Sequence, residues 1–324
     1  MYFLGIDGGG SKTTAALVDH KGELIACHTG GPSNPVSVPL SDIKNTLDEL
    51  FGHIKGKHPE RFSRIKSVCA GIAGTENSHL KGELHQLLKA YFPEDINVQL
   101  CHDALTALYS GTNGDPGIVN IAGTGSITFG VTPDKSVVRS GGWGYLLDHT
   151  GSGFGIGRLA LQKVFEAHDG FSRTRVLTDL VLKRFGVESP PDLISLIYGT
   201  SESRSRIASV CEDVFVAARL HDKKAVDIID QCADDMAVNI SHLIDRHFKN
   251  EAEHKVVLTG SVFKSSDLLL PLLQKKLPGS VQLILPQCPP VVGSVIESYQ
   301  TIHGTCPEDF VHALHESFSR RVQG

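Results

Sequence analysis

The chain has 324 residues, 40% of them hydrophobic and 21% charged, with a formal net charge of −5 at pH 7. That is room for two globular domains, and it offers no electrostatic footing for nucleic acid or an anionic membrane surface. Seven scattered cysteines, an odd number with no C-x-x-C pair, argue for a reducing compartment and against zinc or iron–sulfur ligation. No uninterrupted apolar stretch approaches the ~20 residues that span a bilayer. The sequence enters a strand at once, with no basic leader region, so the expectation is a cytoplasmic protein without a membrane partner.

Residues 2–19 organise the rest. An apolar run reaches Asp7, passes through Gly8, Gly9 and Gly10, then Ser11, Lys12, Thr13 and Thr14, and returns to an apolar run. This reads as strand, tight turn, strand. Three glycines remove every Cβ from the turn, so backbone N–H groups can converge on an anion, with hydroxyls and one cation beside them. Asp7 closes the first strand, where a carboxylate can hold a hydrated Mg2+. A Walker loop is excluded because Ser11 stands where its Lys is required and no helix follows; a dinucleotide fingerprint fails for want of the same helix. Taken alone, the stretch is also readable as a hairpin turn without a ligand, the weaker of the two readings.

A third strand is expected over 23–28, a loop over 30–35, and a helix over 39–56 with Ser41 as its N-cap and an apolar stripe on one face. A buried-type strand spans 65–72, ending at Ala73-Gly74; an amphipathic helix covers 79–91; a strand over 97–101 runs to His102-Asp103 and opens a helix at 104. Then the pattern restarts: strand 117–121, a second glycine-and-hydroxyl turn at Gly123, Thr124, Gly125 and Ser126, and strand 127–131. Glycines at 141–144 and 151–153 bracket an irregular loop holding Trp143, the sole tryptophan. Helices follow over 157–167, 174–185, 207–219 and 225–248, the last with a continuous apolar stripe that reads as core. A strand over 255–258 leads to Thr259, Gly260 and Ser261; a helix over 265–276, a strand over 281–285 and a helix over 291–303 complete the series, with Gly293 and Ser294 placed for close packing or close approach to a ligand.

The ordered set DGGGSKT, PSN, GIAG, HDA, AGTGS, GGWG and TGSVF resembles the N-acetylglucosamine kinases of the BadF/BadG-type (BadF/BadG/BcrA/BcrD) ATPase family, within the actin-like ATPase and sugar kinase superfamily. The resemblance implies an α/β fold of two duplicated actin-like ATPase (ribonuclease H-like) domains around a central cleft. The first would cover 1–110, joined by the helix 291–303; the second would cover 111–290, with a helical insertion over 155–250. It also implies an ATP-dependent kinase that phosphorylates a hydroxyl of an amino sugar, N-acetylglucosamine foremost with a 6-phosphate product, using ATP and Mg2+. Gly8 to Thr13 and Gly123 to Ser126 would hold phosphates, Asp7 the Mg2+ through water, and Gly260 with Ser261 the nucleoside. Phosphoryl transfer asks for positioned donors, a metal and a base near the acceptor; Asp103 is the candidate base, its bland reading being a helix N-cap. Asn34, Gly74, Thr124, Gly142, Trp143, Asp148 and His149 would line the sugar site. Asn34 is also readable as shaping its own turn, and Trp143 as filling the core.

One departure stands out. The family pattern after the Trp turn is G-D-E-G-S, whereas here it is Asp148-His149-Thr150-Gly151-Ser152. Either Asp148 takes the usual sugar-binding place or the pocket suits another amino sugar, N-acetylmuramic acid or glucosamine. Two further readings are a non-catalytic ATP and sugar sensor, and an activator ATPase of 2-hydroxyacyl-CoA dehydratases; the scattered cysteines and the Trp turn disfavour the latter. The resemblance allows a homodimer that the sequence itself does not show.

Overall fold

A computed structural model describes residues 1–322 of the chain apart from 77, 149–150 and 199–201. In chain order the elements are β1 (Tyr2–Gly8), β2 (Thr13–Asp19), β3 (Leu24–Gly30), α1 (Leu40–Lys57), α2 (Pro59–Phe62), β4 (Ile65–Ile72), α3 (Ser78–Lys89), β5 (Asn97–Cys101), α4 (Asp103–Thr112), β6 (Gly117–Ala122), β7 (Ser126–Val131) and β8 (Val137–Gly141). Then come α5 (Gly153–His168), α6 (Arg175–Phe185), α7 (Leu193–Tyr198), α8 (Ser203–Ser209), α9 (Cys211–Arg219), α10 (Lys223–His247), β9 (His254–Thr259), α11 (Ser266–Lys276), β10 (Val281–Ile284), α12 (Pro290–His303) and α13 (Glu308–Val322). Two compact units result: Met1–Gly117 with Leu285–Gly324, and Ile118–Ile284.

The first unit carries a sheet of order β3-β2-β1-β4-β5. β1 pairs antiparallel with β2 and parallel with β4, and β5 extends the parallel side. Central β1 is covered on both faces. Leu4 and Ile6 join the buried stripe of α1 (Ile43, Leu47, Leu50 and Ile54) in one cluster with Leu84 and Leu88 of α3. On the other face a Cβ at Gly5 would lie 2.7 Å from Val295, so glycine lets α12 sit directly on the strand. Gly293 and Ser294 serve that same contact. A Cβ at 293 would strike the Thr106 carbonyl at 1.9 Å, and Ser294 Oγ donates to the Ile6 carbonyl at 2.8 Å. Of the two roles open to this pair, the structure shows close packing.

The second unit repeats the arrangement with order β10-β9-β6-β7-β8. Its helices share a cluster that includes Ile156 and Ala160 of α5, Val214 of α9, and Ile228, Ile229, Cys232, Met236 and Ile240 of α10. Among the described residues no helix is long and apolar enough to cross a membrane.

Several boundaries move, each for a local reason. Ser41 lies inside the first turn of α1, not at its cap, because Pro39 takes the extended N-cap conformation (ψ 156°). α5 starts four residues earlier than expected because Ser152 Oγ accepts from the Gly155 N–H at 3.1 Å. The helix expected over 207–219 is broken at Val210 into α8 and α9. α13 has no counterpart in the sequence reading; it packs Phe310 against Tyr299 of α12, ring centroids 4.1 Å apart.

Candidate functional site

In the first unit the candidate site is assembled by backbone hydrogen bonds around the end of β1. The turn over residues 9–12 is closed by the Gly9 N–H donating to the Lys12 carbonyl at 3.0 Å. The Gly9 carbonyl in turn accepts from Ser33 and Asn34, and the Gly8 carbonyl accepts from Ala73. Four distant stretches thus meet: the glycine turn, the P-S-N loop, the end of β4 and, through sheet order, the β5–α4 junction.

The three glycines are not equivalent. A Cβ at Gly8 would lie 2.1 Å from Ser33 Oγ, so the fold itself demands glycine there. At Gly9 and Gly10 a Cβ would meet nothing nearer than 3.9 and 3.7 Å, and neither residue has positive φ. Nothing within the described fold requires glycine at those two positions, and the bare backbone there is open to close approach by a ligand. Beside this turn, Thr13 Oγ1 and Ser33 Oγ are buried without a hydrogen-bond partner among the described residues, a cost a folded protein carries only for a reason. Sequence reading placed Thr13 here for its hydroxyl; Ser33 was legible only as part of a loop.

Two carboxylates face this turn. Burial, then the negative charge of Asp103, push Asp7 up to about 7, with Lys12 opposing. A divalent cation reverses such a shift, so a metal fits this carboxylate. Asp7 also supplies a pH test of the ligand-free protein. Its folded-state value lies above the unfolded one, so its contribution to stability is present below about 4 and lost as pH rises through about 7. Asp7→Asn is therefore expected to raise the melting temperature at pH 8, by about 2–4 °C per kcal/mol relieved, and to raise it by less at pH 5. Equal melting shifts at the two pH values would refute the burden assigned to Asp7.

Asp103 opens α4 but does not cap it. His102 is the N-cap, its Nδ1 accepting from the Ala104 N–H at 3.0 Å. The bland reading of Asp103 therefore does not hold. Its side chain is 30% exposed, enough to meet a ligand, and its place in the first helical turn suits a negative charge. Asn34 does shape its turn: Oδ1 accepts from the Val36 N–H at 2.9 Å. What remains for a ligand is its amide donor. Gly74 (φ +78°) lies against that amide, a Cβ there falling 2.2 Å from Asn34 Oδ1.

In the second unit the turn at Gly123–Ser126 is clasped by the start of α5. Gly153 N–H donates to the Gly123 carbonyl at 2.7 Å and Phe154 N–H to the Thr124 carbonyl at 3.2 Å. Gly260 (φ +108°) abuts the end of β6, where a Cβ would lie 2.2 Å from the Ala122 carbonyl. Gly123, Thr124 and Ser261 line one side of a cavity of about 350 Å3, closed by Phe215, Arg219 and Lys264. A cavity of that size lies within the range of small-molecule sites. Arg204, which sequence reading missed, brings Nη2 to 3.2 Å from a Cβ placed on Gly125.

The Trp loop stands apart from that cavity. Trp143 is 66% exposed, so it does not fill the core. Arg139 lies over its ring at 3.8 Å. Arg139 Nε is buried without a hydrogen-bond partner, and no ion pair to Arg139 occurs among the described residues. Asp148 holds the turn together: its two oxygens accept from the Trp143 N–H at 3.1 Å and the Gly144 N–H at 3.0 Å. Gly142 has positive φ, and a Cβ there would strike Ile127 at 2.7 Å. His149 lies outside the described residues.

A model of the BadF/BadG/BcrA/BcrD ATPase family matches residues 4–298. The chain belongs to this family. As a member it is an ATP-using protein. It is 31% identical over 307 residues to the N-acetyl-D-glucosamine kinase of Dictyostelium discoideum, spanning 91% of this chain and 96% of that one. It is 30% identical over 260 residues to the N-acetylmuramic acid/N-acetylglucosamine kinase of Clostridium acetobutylicum, spanning 80% and 83%. Among solved structures, a provisionally assigned N-acetylglucosamine kinase of Chromobacterium violaceum superposes with a TM-score of 0.70 at 26% identity, covering 92% of this chain and 99% of that one. The duplicated α/β fold expected from the motifs is the fold the family member adopts.

Proposed function

We propose that this chain is an ATP-dependent kinase that transfers the γ-phosphoryl group of ATP to a hydroxyl of an amino sugar, with N-acetylglucosamine as the first candidate and its 6-phosphate as the product. The observation that carries this reading is the carboxylate pair of the first unit. Asp7 is half-buried at the end of β1 and raised to about 7, partly by Asp103, which stands exposed enough to meet an acceptor. Two coupled carboxylates in different surroundings are suited to different tasks. Asp7 is the metal-facing one and Asp103 the general base. The relatives' names support the sugar class.

Gly9 and Gly10, which nothing in the fold requires, present backbone N–H groups to phosphate oxygens, with Ser11, Lys12 and Thr13 beside them. Gly123 to Ser126 of the second unit form another turn suited to phosphate oxygens, and Gly260 and Ser261 border the cavity that takes the nucleoside. Asp7 would hold Mg2+. When bound, that ion supplies charge neutralisation on the transferring phosphoryl group. Asp103 accepts the proton of the sugar hydroxyl as it attacks, while Asn34 and the backbone at Gly74 orient the sugar. Trp143 offers an aromatic face to the apolar side of the ring or to an acetyl methyl, with Gly142 and the turn held by Asp148 setting its place. The protein works in the cytoplasm, on small molecules.

A second reading is supported by Arg139. A guanidinium with a buried, unsatisfied Nε and no carboxylate partner among the described residues, next to Trp143, suits an acidic sugar such as N-acetylmuramic acid. ADP release with Mg-ATP, measured across N-acetylglucosamine, N-acetylmuramic acid, glucosamine, N-acetylmannosamine and glucose, tests both. Turnover on an N-acetylated amino sugar is expected. Preference for the lactyl-bearing sugar, lost in Arg139→Ala, would select the second reading, and silence on every sugar would overturn the kinase assignment.

A further inference from the structure

We infer that His102 is a positioning residue for the base, held between Asp103 and Glu76; the inference rests on the kinase reading above. His102 Nδ1 lies 2.8 Å from Asp103 Oδ1, and its Nε2 lies 2.7 Å from Glu76 Oε1. Each ring nitrogen therefore meets a carboxylate. A neutral imidazole carries one N–H and can satisfy only one of these contacts as a donor; the imidazolium, with two, satisfies both. Burial alone would lower the His102 value, but the hydrogen bonds and charges of Asp103 and Glu76 outweigh it and hold it above the usual histidine range.

The same Nδ1 also lies 3.0 Å from the Ala104 N–H. It can accept that bond only through its lone pair, and it can donate to Asp103 only when protonated. Nδ1 thus has two exclusive uses. Deprotonated, it caps α4; protonated, it holds Asp103 Oδ1 and leaves the other carboxylate oxygen to the sugar hydroxyl. Glu76, on the turn before α3 with 47% of its side chain exposed, favours the protonated form from outside the site. Among the described residues, the charged groups facing this imidazole are Asp103 of its own helix and Glu76; the next charge inward, beyond Asp103, is Asp7.

Glu76→Gln and His102→Asn test the assignment. Asn can still cap α4, and Glu76 is half-exposed, so both variants keep the fold. Each is expected to lower kcat by about 10- to 100-fold, the scale of a partner that orients a reacting group, while the KM for ATP stays within about twofold. Glu76→Gln removes one of the two carboxylates that favour the imidazolium, so the alkaline limb of its kcat–pH profile moves to lower pH. A Glu76→Gln profile superimposed on wild type, or a His102→Asn variant that loses only melting temperature, overturns the inference. Wild-type turnover is the control. Its absence overturns the kinase reading and this inference together, whereas an active wild type with unaltered variants overturns the His102 assignment alone.

Discussion

Asp103→Asn is expected to lower kcat by at least about 10³-fold, within the range assigned to a positioned general base, while ATP still binds within about threefold of wild type. The substitution keeps shape and removes the proton acceptor. It does not remove a helix cap, because His102 holds that position. It also takes away the charge that helps to raise Asp7, so the titration of Asp7 is expected to move down toward the ordinary carboxylate range. Loss of turnover with an unshifted Asp7 would mean that the two carboxylates are not coupled as described. Retained turnover would give the base to another residue.

Gly9→Ala combined with Gly10→Ala is expected to leave the melting temperature within about 1–2 °C, because neither Cβ meets the described fold and neither φ is positive. The same double variant is expected to lose about 10²-fold in kcat/KM for ATP, the cost of displacing a reacting group by about 1 Å. Gly8→Ala is the contrast. Its Cβ would overlap Ser33 Oγ, so it should lose stability as well as activity. If the 9,10 double variant were as unstable as Gly8→Ala, those glycines would serve the turn and not a ligand.

The strand–turn–strand repeat was legible because both turns sit between apolar runs, and because glycines and hydroxyls interrupt those runs at matching places. The helix 291–303 was legible from its own local pattern, whereas sheet order and the choice between packing and ligand contact for Gly293 and Ser294 came only with the structure. What was not legible depended on through-space neighbours. Glu76 and His102 are 26 residues apart in sequence, and only the parallel pairing of β4 with β5 brings their loops together. Arg139 and Trp143 meet because the chain turns back at glycines 141 and 142, both of positive φ. Asp148 reads as a candidate sugar ligand in an altered motif; in the structure each of its oxygens accepts one backbone N–H of the Trp turn, which the sequence did not reveal. Residues such as Asp148 and Ser41, whose polar atoms can serve either a ligand or a nearby N–H, are where local sequence decides least.

The most direct test is a 31P NMR spectrum of the wild-type protein with Mg-ATP and N-acetylglucosamine. Kinase action predicts a sugar phosphate resonance growing in step with ADP, absent without the sugar and absent in Asp103→Asn. ADP accompanied only by inorganic phosphate, at the same rate with or without any amino sugar, would contradict phosphoryl transfer to a sugar and leave an ATPase in its place.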